Sequence, residues 1–119
     1  MKLAAIDIGS NAARLLITEV TSDEKDNPVF NKLNLFRVPL RLGFDVFETG
    51  MISKQKTGML LQTMKAFKHL MNAYEIKHVK ACATSAMRDA MNTPDIVRKV
   101  KLETDIAIEI ISGDMEAGL

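Results

Sequence analysis

Three short stretches of this sequence combine carboxylates, hydroxyls and a guanidinium with small residues, each where an apolar run gives way to a polar turn. The first is Asp7-Ile8-Gly9-Ser10-Asn11. Asp7 interrupts an otherwise apolar strand, where a carboxylate without a partner is costly. Gly9 permits a close backbone approach and an unusual turn, while Ser10 and Asn11 add hydroxyl, amide and backbone donors. Together they read as an anion nest beside a carboxylate suited to holding Mg2+ through water. An ordinary hairpin turn with Asp7 capping backbone amides fits the same residues. The second stretch is Ala83-Thr84-Ser85-Ala86-Met87-Arg88-Asp89. Ser85 caps a helix whose first amides face an anion, and Arg88 forks onto phosphate oxygens; a surface pair of Arg88 with Asp89 is the plainer alternative. The third stretch runs from Glu109 to Glu116 (Glu-Ile-Ile-Ser-Gly-Asp-Met-Glu). Glu116 falls on an opening helical turn, where a carboxylate orients or deprotonates an attacking water, or simply complements the helix dipole.

These stretches need a frame that brings them together. Residues 2–8 alternate into a strand, and residues 13–20 form a second, closing a hairpin over the first polar turn. The polar cluster 22–28 is a surface turn, and 29–42 reads as a third strand with both faces partly covered, ending near an edge at Pro39. Gly43 and Gly50 bracket a loop. Ser53 is the N-cap of a long helix whose Leu60, Met64, Phe67, Met71 and Tyr74 form one stripe. Residues 78–84 make a fourth strand, Ser85 opens a short helix, Thr93-Pro94 starts another as N-cap and first-turn proline, and 107–111 is a fifth strand. Cys82 reads as a small core residue between apolar neighbours. The order β-β-β-α-β-α-β predicts an α/β lobe: a mixed five-stranded sheet with helices on its faces. It is similar to one half of the ribonuclease-H-like, actin-like ATPase superfold. Ligands of open α/β sheets bind beyond the carboxyl ends of the strands, which is where all three stretches fall.

The 119 residues suit one domain, and 47% apolar with 26% charged residues is the balance of a globular protein, not a disordered one. One cysteine and two histidines provide neither a disulfide nor a zinc site of the usual kind. No apolar run reaches the ~18 residues of a membrane helix. The reading is therefore a cytoplasmic protein in a reducing compartment. Charge is unevenly placed: residues 54–101 hold ten basic and three acidic residues, and 102–119 hold none and five. A basic middle can steer a polyanion, although Lys54, Lys56, Lys65 and Lys68 suit a solvated helix face better.

Taken together and in order, the three motifs resemble the exopolyphosphatase and guanosine pentaphosphate phosphohydrolase family, and the resemblance spans the whole chain. It implies a hydrolase that removes terminal orthophosphate from inorganic polyphosphate or guanosine pentaphosphate, with Mg2+ as cofactor. It also implies a second lobe closing the cleft, a homodimer, and neither nucleic acid nor membrane as partner; this chain is then the first lobe, inactive alone. Residue by residue, Glu116 matches the glutamate that activates water, and Arg88 a phosphate-binding arginine. Ser10 and Asn11, with Gly9, match the first phosphate loop, Ser85 the second turn, and Asp7 the aspartate that organises metal and water. Ala12, Met115 and Gly118 stand where the family pattern has a hydroxyl, an acid and an arginine. A kinase or ATPase of the same superfold, or a non-catalytic polyphosphate or alarmone sensor, are the competing readings of the same cradle.

Overall fold

Alternation along the first strand decides how the sheet is used. In β1 (Lys2–Ile8) Ala4, Ile6 and Ile8 are buried, whereas Leu3, Ala5 and Asp7 are not. The computed structural model, which describes residues 1–111, continues this pattern into β2 (Ala12–Ser22), where Ala13, Leu15 and Ile17 are buried and Arg14 is exposed. Next come β3 (Pro28–Pro39), α1 (Leu42–Thr49) and α2 (Lys54–Ala73). They are followed by β4 (His78–Ala83), α3 (Ser85–Asp89), α4 (Thr93–Thr104) and β5 (Ile108–Ile110). The five strands form one mixed sheet in the order β3-β2-β1-β4-β5. β1 pairs antiparallel with β2 and parallel with β4, and β4 pairs parallel with β5.

The helices of the described residues share one core with the buried strand positions. Leu60, Met64, Phe67 and Met71 of α2 and Ile96 and Val100 of α4 cover Ile6, Ile8, Leu15 and Ala83. Full burial of such side chains stabilises by roughly 1.5–3 kcal/mol each, before entropy is counted. The α2 stripe is therefore where its spacing puts it, with Tyr74 half-buried as the C-cap and the Ser53 hydroxyl accepting from Lys56 N at 3.1 Å. The other face of the sheet, bearing Ala5, Asp7, Arg14, Lys80 and Cys82, is largely open, with Ala12 at the start of β2 its one buried residue among the described strands.

Several expectations need correction. Residues 43–50 are not a loop but most of α1. Gly50 lies just past its end, with φ 76° and its N–H on Val46 O at 2.8 Å, the left-handed stop that glycine tolerates. Gly43 is inside the first turn for a reason of space given below. β3 ends at Pro39 and is the edge strand, as the proline indicates, but most of it is exposed on both faces: it has one neighbouring strand, and only near its end do Phe36 and Val38 pack half-buried against the core. The N-caps shift by one residue: Thr84 precedes α3 and Asn92 precedes α4, neither capping through its side chain. The Asn92 amide is tied instead to Ile52, accepting from its N at 3.0 Å and donating to its O at 2.8 Å. Cys82 is half-buried on the face away from the helices, not a core residue, because its neighbours Ala81 and Ala83 take the inward positions.

Candidate functional site

The parallel register sets three strand ends level. Ile8 pairs with Ala83, and Ala83 with Ile110. Backbone bonds carry this one residue further: Thr84 N donates to Ile8 O at 3.0 Å and Ile111 N to Ala83 O at 2.9 Å. The strand ends that precede the three polar turns therefore lie side by side along one rim, the third of them described as far as Ile111. Glu116, the expected water-activating residue, lies outside the described residues, as do Ser112 to Met115.

The first two turns touch directly. Ser10 Oγ and Ser85 Oγ are 2.6 Å apart, a hydroxyl–hydroxyl hydrogen bond that ties the β1–β2 turn to the start of α3. Both hydroxyls keep acceptor capacity for a further donor, and whichever is not donating to the other can donate outward. α3 is a single turn, so Ser85 contributes through its hydroxyl more than through a helix dipole, and it sits inside the helix instead of capping it. The loop itself is clamped from behind. Asn11 O accepts from Leu40 N and Arg41 N, both at 2.9 Å, and Gly43 N donates to Ser10 O at 2.9 Å. This clamp was not legible in the sequence. It also explains Gly43: a Cβ there would lie 2.9 Å from Ser10 Cβ, closer than real Cβ atoms come. Gly9, singled out for its freedom, has ordinary room around it, a Cβ meeting Ala12 O at 3.6 Å, and no left-handed φ.

Arg88 projects from α3 toward the third strand end, where Nη1 donates to Ile111 O at 3.1 Å and Nε lies 3.9 Å from the Asp89 carboxylate. Asp7 does not cap amides. It faces away from the helices and forms an ion pair with Arg14, its cross-strand partner in the hairpin. That pairing follows from the turn length, so a hairpin drawn on paper would have shown it. Arg14 in turn stands opposite Arg37 of β3. Asp7, Ser10, Asn11, Ser85, Arg14 and Arg37 line one groove of about 300 Å³. Arg14 and Arg37 are the site residues that sequence reasoning missed.

Among the described residues no group of three or more His, Cys, Asp or Glu side chains could hold a metal alone. Mg2+ needs less: one or two carboxylates, several waters and the oxygens of a phosphate ligand. Asp7, half-buried beside Ser10 and Asn11, supplies one carboxylate of that kind. Cys82 lines the neighbouring groove with Asp7 and Thr84. Burial pushes its thiol above the usual range, Glu109 and Asp7 adding to the effect while Lys80 opposes it. It is a poor nucleophile at neutral pH.

Residues 21–119 match the Ppx/GppA phosphatase family. The chain belongs to that family. A crystal structure of the Aquifex aeolicus Ppx/GppA family member superposes with a TM-score of 0.88 at 30% identity, over 98% of this chain and 36% of that one. Exopolyphosphatase 1 of Mycobacterium tuberculosis is 29% identical over 119 residues, all of this chain and 33% of the relative. A bifunctional 3-dehydroquinate synthase/phosphatase of Fusobacterium nucleatum is 35% identical over 116 residues, 96% of this chain and 18% of the relative. The Ppx/GppA likeness supports the ribonuclease-H-like, actin-like lobe read from the strand order. This chain spans about a third or less of these relatives' lengths.

Proposed function

We propose that this chain is the first lobe of a two-lobed phosphoanhydride hydrolase that releases terminal orthophosphate from inorganic polyphosphate or guanosine pentaphosphate. The observation that carries the reading is the Ser10–Ser85 bridge between two strand-end turns, with Arg88 reaching the third strand end at Ile111. Hydroxyls and a guanidinium on one rim are donors for a phosphate chain and leave its leaving and attacking oxygens open. In the reaction, water attacks the terminal phosphorus and the bond to the bridging oxygen breaks. That oxygen leaves on the shortened chain, and Glu116 takes the proton of the water. Ser10, Asn11 and Gly9 seat the phosphate, Ser85 fixes the second turn, and Arg88 balances charge on the transferred group. Asp7 would hold Mg2+, which supplies charge neutralisation at the phosphoryl oxygens. Its ion pair with Arg14 keeps the carboxylate oriented toward the groove.

The second lobe of the parent protein and a homodimer belong to this reading, as does a cytoplasmic setting, which the single thiol fits. No helix is long and apolar enough to cross a membrane among the described residues. The deciding experiment is phosphate release by the full-length protein on long-chain polyphosphate and on guanosine pentaphosphate, with and without Mg2+. Activity on either substrate that depends on Mg2+ and disappears in Glu116→Gln, with binding retained, supports the reading. Turnover only with ATP and an acceptor makes it a kinase, and binding without turnover in either form makes it a sensor.

A further inference from the structure

Across β2 and β3, Arg14 stands directly opposite Arg37. Like charges in directly opposed strand positions destabilise a sheet. Arg14 has an answer in Asp7 on its other side. Arg37 has none: among the described residues no carboxylate lies within ion-pair distance of it. An exposed edge strand would ordinarily tolerate any polar residue here, yet Arg37 lines the same groove as Ser10, Asn11 and Ser85. The arrangement is unfavourable for the free lobe and favourable once an anion lies between the two arginines.

We propose that Arg37 anchors a distal phosphate of an extended polyanion, away from the phosphoryl group held at Arg88. Three strand spacings separate β3 from β4, about 14 Å of sheet. The Arg88 guanidinium is turned the other way, onto Ile111 O beside β5. A single orthophosphate therefore cannot engage both arginines, whereas a chain of phosphates laid along the rim over Asn11 and Ser10 can. The proposal rests on the phosphate-cradle reading of this rim but not on its chemistry: it specifies a multi-phosphate anion over a compact one.

The test is calorimetric binding of long-chain polyphosphate and of orthophosphate to the full-length protein, for the unsubstituted chain, Arg37→Gln and Arg37→Lys. Arg37→Gln is expected to weaken polyphosphate binding about tenfold, equivalent to 1.4 kcal/mol, and to leave orthophosphate binding unchanged. Arg37→Lys should restore most of the affinity, and the salt dependence should become shallower in Arg37→Gln. Its melting temperature without ligand should be unchanged or higher, because the repulsion with Arg14 is relieved. A structural role would lower it. Unchanged polyphosphate affinity, an equal loss for orthophosphate, or no polyphosphate binding by the unsubstituted protein overturns the proposal. Tight binding lost in Arg37→Gln with no phosphate release from the unsubstituted protein would instead sink the hydrolase reading and leave this one standing.

Discussion

A methyl group at position 43 would place its carbon 2.9 Å from Ser10 Cβ, in a turn already fixed by the Gly43 N to Ser10 O bond. Neither partner has slack, so Gly43→Ala must move the loop that presents Ser10. Overpacking of this kind costs roughly 1–3 kcal/mol, and small displacements of a positioning group cost far more in rate than in stability. Steady-state kinetics of the full-length variant should show phosphate release down at least about tenfold, with a modest fall in the urea midpoint; unchanged kinetics would show that the contact positions nothing. Cys82 gives a second test. Its thiol is raised above its ordinary value of 9.0 by burial, so the folded chain holds the proton more tightly than the unfolded one. Its contribution to stability is complete below that value and fades as pH rises through the higher folded value. Alkylation by iodoacetamide at neutral pH should be slower than that of free cysteine and accelerate above pH 9; fast labelling at neutral pH would contradict it. Residue types were legible here, as with Asp7, Ser10 and Arg88, because chemistry is written in the letters. Gly43 was not, because a glycine that makes room for a neighbour looks like one that makes a turn.

Among the elements, Asn92 separates two explanations that the letters alone confuse. It occupies the N-cap position of α4, one residue before the Thr93 that the sequence suggests, and in a capping role aspartate serves as well as asparagine. Its side chain instead bridges Ile52 N and O at 3.0 and 2.8 Å, pinning the start of α4 to the chain entering α2. Asn92→Asp keeps the acceptor, loses the donor and sets a negative charge against a carbonyl. A loss of roughly 1–3 kcal/mol is expected in denaturant unfolding with an unchanged slope, whereas a capping role predicts no loss. Ser53→Ala, at a cap that does bond through its hydroxyl, should cost about 1 kcal/mol in the same measurement. Helix α2 was legible end to end because its stripe meets a single sheet face. α1 was hidden because glycines at both its ends imitate loop punctuation, and β3 was overfilled because alternation reports two faces without saying whether anything covers them.

At the scale of the whole molecule, the decisive feature was legible only through topology. The three strand ends lie level because β1, β4 and β5 run parallel and in register, a consequence of two crossovers over one face of the sheet. The described residues line one open rim: a hydroxyl pair, with Arg88 at one end and Arg37 toward the other. In-line displacement needs the attacking and leaving oxygens held from both sides and water excluded from the remainder, which an open rim does not achieve. The relatives, of which this chain spans about a third or less, have the additional length for an opposing wall. The 119-residue chain should therefore bind long-chain polyphosphate more weakly than the full-length protein. It should release phosphate at least about a hundredfold more slowly per mole, even with Mg2+ present. Side-by-side assays of the two proteins, with circular dichroism to establish that the shorter one is folded, measure this directly. A folded 119-residue chain turning over at a comparable rate would place the whole of catalysis in one lobe, and the need for a second wall would fall with it.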